Sequence, residues 1–137
     1  MKNTQYNKLN MLLKVFDNKN NITEDERRNM VIEILKLQKR TEYDLAFLLN
    51  VSQSTISYGI KGKKIIKKDF WVKMCIALKL PYPVSEKVLG LYRINLSVTD
   101  VTDMKYMNIL YTVTLDIHKE DIELLIEEVN TIKKLAE

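Results

Sequence analysis

TEYDLAFLLNVSQSTISYGIKGKK, residues 41–64, holds two helix starts within one short stretch. Thr41 is followed three residues on by Asp44, and Ser52 by three polar residues. Each hydroxyl can accept an amide proton that the first helical turn leaves without an intrahelical partner. Leu45, Ala46, Leu48 and Leu49 then give the first helix an apolar face, and Ile56 points the second one inward. Gln53, Ser54, Thr55 and Ser57 bring neither bulk for a core nor charge for a surface. They bring donors and acceptors on short arms, which suits a helix laid against something dense in polar edges.

Outward from this stretch, most of the chain reads as short amphipathic helices. Tyr6, Leu9, Leu12, Leu13 and Phe16 fall at helical spacing until DNKNN (17–21) breaks the pattern. Thr23 with Glu26 forms a capping box ahead of Met30, Val31, Ile34, Leu35 and Leu37. Asp69 precedes Phe70, Trp71, Met74, Cys75, Ala77 and Leu78, a segment closed by PYP at 81–83, and Ser85 is read as the start of a further short helix through Leu91. From about residue 93 the period changes. Ile94, Leu96 and Val98 alternate, as do Ile109, Tyr111, Val113, Leu115 and Ile117, which predicts a β-hairpin with TDVTDMK as its turn. Ile122, Leu125, Val129, Ile132 and Ala136 restore a helical 3-4 spacing in the tail.

The chain has 137 residues, 46% of them hydrophobic and 29% charged, values of an ordinary globular protein. No apolar run reaches the roughly 18 residues of a membrane span, and MKNTQYNKLN lacks a secretory apolar region. One cysteine, Cys75, cannot make an internal disulfide, so a reducing cytoplasm is the expected compartment and a buried apolar role the expected one. Charge is segregated. Residues 51–80 carry seven lysines against Asp69 alone, a net +6, whereas residues 116–137 carry seven acids against three lysines, a net −4. A basic middle and an acidic end fit one part that meets a polyanion and one that avoids it, although a lysine-rich stretch by itself is also simply a solvated face. His118 has no metal-spaced partners, only three glycines are present, and no nucleophile–base constellation appears. An enzyme, a metal site and a cofactor are therefore not expected.

Residues 41–64 resemble the helix-turn-helix of the Cro and lambda-repressor-like family. The resemblance rests on Leu45-Ala46 in the family's second helix, a tight turn at Leu49–Ser52, a hydroxyl-capped third helix over 52–60 and Gly62-Lys63 after it. It extends over roughly residues 24–92, with 1–23 and 93–137 outside it. It implies a five-helix helix-turn-helix domain over 23–92; with the extra N-terminal helix in 1–22 and the C-terminal hairpin plus helix in 93–137, both read from their periods, the expected fold is mainly α. It also implies DNA binding, with the helix at 52–60 in the major groove. Gln53 suits an adenine edge; Ser54, Thr55, Ser57 and Tyr58 suit base edges or phosphates; Thr41, Lys61, Lys63 and Lys64 suit the flanking backbone.

Three departures stand out. Glu42 occupies a position where the family carries a phosphate-contacting glutamine, and its carboxylate repels a phosphate, leaving Thr41 or Tyr43 to stand in. Leu35 and Ile60 replace a buried Arg–Glu pair; a packed apolar pair can do so without loss. Gly59 stands where an apolar residue is expected and costs about 1 kcal/mol of helix stability.

Two functions follow. One is a sequence-specific transcriptional regulator, a dimeric repressor of a phage or mobile element on a palindromic operator. The other is a protein-interaction module on the same scaffold, such as a phage-encoded inhibitor of a host defence nuclease, with autoregulation as an added role. A lone recognition helix reads few base pairs, so two copies on half-sites about 34–36 Å apart are expected. Ile122, Leu125, Val129 and Ile132 are the expected dimer seam. The alternatives are that the last helix packs within its own chain, or that the first helix shares the interface.

Overall fold

A computed structural model describes residues 2–62 and 67–137. The protein is mainly α, with eight helices and no strand among these residues. It divides into two compact units, residues 1–66 and 67–137, a boundary that falls inside the 23–92 stretch.

The first unit holds α1 (Lys2–Lys14), α2 (Glu24–Leu37), α3 (Glu42–Leu49) and α4 (Gln53–Lys61). Leu9 and Leu13 are the buried edge of α1, which packs on α2. Thr23 caps α2 as its sequence predicts: Glu26 N donates to Thr23 Oγ1 and Thr23 N to Glu26 Oε1, each at 3.1 Å. The Lys19 ammonium on the Glu26 carboxylate, then the Thr23 backbone amide, hold that carboxyl below its ordinary range. Met30, Val31, Ile34 and Leu35 repeat at 1-3-1 spacing and form the buried face of α2, against which α4 packs.

The second unit is built around α5 (Lys68–Ala77), whose Phe70, Trp71, Val72, Met74, Cys75, Ile76 and Ala77 are all buried. A helix apolar on every side belongs in an interior, and α6 (Tyr82–Leu91), α7 (Val101–Leu110) and α8 (Lys119–Ala136) pack against it. Trp71 stacks on Tyr92 with ring centroids 3.6 Å apart. Two buried carboxylates tie the helices together. Asp69 on α5 meets Lys73 at 3.8 Å and Lys133 of α8 at 3.5 Å. Asp103 on α7 accepts from Lys68 Nζ and from Ser97 N, both at 2.9 Å.

Two helix starts lie elsewhere than the residue types at Asp69 and Ser85 suggest. Asp69 lies inside α5 as an ion-pair partner, and the N-cap is Lys67, without a side-chain bond. Ser85 lies inside α6, which begins after Pro81; its hydroxyl donates to Leu80 O at 2.9 Å. Pro83 in the first turn costs α6 nothing, because the amide it lacks has no helical partner there.

The predicted hairpin over 93–117 is absent. Asp103 N donates to Asp100 Oδ1 at 2.8 Å, so the supposed turn is a helix start. Asp103, Tyr106, Met107, Ile109 and Leu110 then bury one helical face. An alternating reading needs Tyr111 inside, but it is 64% exposed and stacks on Tyr82 at 4.0 Å.

Burial pushes the Cys75 thiol up to about 12. A thiol raised in the folded state contributes stability that is complete below the unfolded value of about 8.5 and is lost as pH climbs towards the folded one. Between about pH 9 and 11, the unfolding free energy should therefore fall more steeply in the native protein than in Cys75→Ala. The difference expected is up to about 1.4 kcal/mol per pH unit, measured by urea titration at each pH. Equal slopes would mean the thiol is accessible.

Candidate nucleic-acid interface

The residues of 41–61 fold as two helices at a tight turn, and the reasons are local. Thr41 Oγ1 accepts from Asp44 N at 3.3 Å and donates to Asp44 Oδ2 at 3.1 Å, while Thr41 N donates to the same oxygen at 2.8 Å. The helix α3 ends on Asn50, whose φ of 55° is one that asparagine tolerates better than most side chains. Two residues later Ser52 Oγ accepts from Thr55 N at 3.1 Å and starts α4. Leu45, Ala46 and Leu49 of α3 and Ile56, Gly59 and Ile60 of α4 are buried where the helices meet.

With Ile56, Gly59 and Ile60 facing in, helical geometry fixes what faces out. Ser54, Tyr58 and Lys61 follow one another at i, i+4 and i+7 along the outer side, flanked by Ser57. Gln53 and Thr55 lie at its two edges in the first turn. Gln53, Ser54 and Thr55 are exposed, Tyr58 is 48% exposed, and Ser57 and Lys61 are half-buried. No acidic residue occurs from Leu45 to Lys68. The outer stripe thus offers an amide, hydroxyls, a phenol and an ammonium, with the positive end of the α4 dipole at Gln53.

Not every predicted contact residue has its atoms to spare. Thr41 is committed twice to Asp44, and the Thr55 and Ser52 hydroxyls lie 2.9 Å apart in a shared bond. Tyr43, on the first turn of α3, is 66% exposed. Glu42 turns one carboxylate oxygen, Oε1, into the protein, where it has no hydrogen-bond partner. Lys63 and Lys64 lie outside the described residues. Leu35 and Ile60 are both buried, on helices that pack together.

Two further features adjoin these helices. Gly62 ends α4 with φ at 76°, and a Cβ there would sit 3.2 Å from Arg27 Cδ. Arg27 of α2 therefore lies beside the C-terminal end of α4, where a cation is favourable. Phe47 is 68% exposed one helical turn after Tyr43, so α3 presents an aromatic pair on its surface. The first feature has no signal in linear spacing; the second is visible as an i, i+4 aromatic pair off the Leu45–Leu49 face.

Elsewhere, Ile122 and Val129 of the expected seam are buried where α8 packs in its own unit, and Leu125 and Ile132 are half-buried. Among the described residues no cluster of His, Cys, Asp and Glu could hold a metal, and no helix is long and apolar enough to cross a membrane. The chain matches no family model, no curated protein and no solved structure.

Proposed function

We propose that the 1–66 unit binds double-stranded DNA with α4 in the major groove, and that the protein is a sequence-specific transcriptional regulator rather than an enzyme. One observation carries this reading. A capped two-helix unit buries Ile56, Gly59 and Ile60 and turns outward a stripe of Ser54, Ser57, Tyr58 and Lys61, with Gln53 at its start. Such side chains meet both base edges and phosphates. Charge supports it: residues 1–66 carry twelve Lys and Arg against seven Asp and Glu, a net +5, while residues 67–137 are at −1, with ten against eleven.

Selection of bound sequences from a random duplex library is the test. Recovery of a defined motif supports the reading, and recovery of unenriched sequence contradicts it. Within that experiment, Lys61→Ala should weaken every sequence alike and flatten the salt dependence by about one phosphate contact, a slope change near 0.9. A Lys61→Ala protein with an unaltered slope would remove Lys61 from the interface.

A second reading is a protein-interaction module on the same scaffold. The exposed Tyr43 and Phe47 pair, with Glu42 at the start of α3, favours it, since aromatics are enriched where proteins meet. It predicts no salt-dependent affinity for random duplex.

A further inference from the structure

The tail helix has an outer stripe, apolar at its two ends, that its own unit leaves exposed. Ile122, Ile126 and Val129 face the interior of the unit. Leu124 and Leu135, 67% and 77% exposed, lie on the opposite side and share a helical stripe with Glu128 and Thr131. Half-buried Leu125 and Ile132 flank this stripe on one side and line an open groove of about 480 Å³ against Ile109 and Thr112 of α7. Glu127 and Lys134, both exposed, flank it on the other side.

We infer that α8 is the seat of a homodimer in which two copies pair antiparallel through this outer stripe. A two-fold axis between residues 129 and 130 makes the surface complementary to itself. Leu124 then meets Leu135 of the second copy, Glu128 meets Thr131, Leu125 meets Ile132, and Glu127 meets Lys134. Every contact occurs twice, as an isologous interface requires. Flanking charges choose orientation and partner in paired helices. A parallel, in-register pair would instead set Glu128 against its own copy and leave Glu127 without its lysine. The seam thus differs from the inward 122–129 stripe, which α5 and α7 already cover. This proposal does not depend on DNA binding.

Sedimentation of the full chain should show a concentration-dependent dimer. Glu127→Lys alone, or Lys134→Glu alone, should raise the dissociation constant roughly tenfold, as two attractive pairs become repulsive. The Glu127→Lys/Lys134→Glu double variant should return it to near the native value. These positions are exposed, so folding survives, and circular dichroism checks it. Leu124→Cys and Leu135→Cys proteins, mixed, should be joined by a short bis-maleimide, whereas Leu124→Cys alone should not; Cys75 is buried and does not interfere. A monomer at all concentrations, a reversal without effect or without rescue, or crosslinking of Leu124→Cys to itself would each overturn the proposal.

Discussion

Leu35→Arg is expected to cost the first unit roughly 3–5 kcal/mol, because it buries a guanidinium with no counter-charge. Leu35 is 2% exposed on α2 and Ile60 fully buried on α4, and the two helices pack together. Adding Ile60→Glu should recover part of the loss by supplying a carboxylate across the same junction. Ile60→Glu alone should be as damaging as the arginine alone. Thermal melts of the three variants and the native protein decide the matter. Additive losses in the double variant would mean the two side chains do not meet, and the pairing of α2 with the end of α4 would need another register.

Gln53→Ala and Ser54→Ala are each expected to weaken binding to the selected site by roughly 1–3 kcal/mol, and to relax choice at one base pair. Both side chains are exposed in the first turn of α4, and neither takes part in its cap, which is made by Ser52 with Thr55. Stability should therefore stay within about 0.5 kcal/mol of native, as for surface changes away from caps and cores. Thr55→Ala is the informative contrast: its hydroxyl is shared with Ser52, so some loss of helix stability should accompany any loss of binding. Repeating the selection with Gln53→Ala gives the specificity directly. An unchanged motif would take Gln53 off the base edges.

How much of this was legible in sequence depended on whether the deciding interaction is local. The Thr23, Thr41 and Ser52 starts each rest on residues three apart, and all three form as read. So does the inward position of Ile56. Residues 93–117 are an exception, because the signal that decides them is local as well. Alternation at 109–117 is a weak signal for a strand, and the Asp100–Asp103 cap with the 103–110 apolar face is a stronger one for a helix. Ser85 and Asp69 have the residue types of helix caps, but Leu80 O claims the first, and Lys73 one turn on with Lys133 of α8 claims the second. The tail seam followed the same logic. A 3-4 stripe states that one face is apolar without stating what covers it, and α5 and α7 cover Ile122 and Val129. At the candidate interface, the outward side chains of α4 were readable from its period, whereas Arg27 beside Gly62 depends on two segments meeting in space.

If α4 and its surroundings hold a nucleic-acid backbone, as proposed, the affinity of the native protein for random duplex DNA depends steeply on salt. The logarithm of the binding constant should fall linearly with the logarithm of salt concentration, with a slope of about −0.9 for each phosphate neutralised. About three to five contacts for a single basic unit give a slope of roughly −2.7 to −4.5. A binding constant that does not change with salt, or no binding at low salt, would take α4 off the DNA.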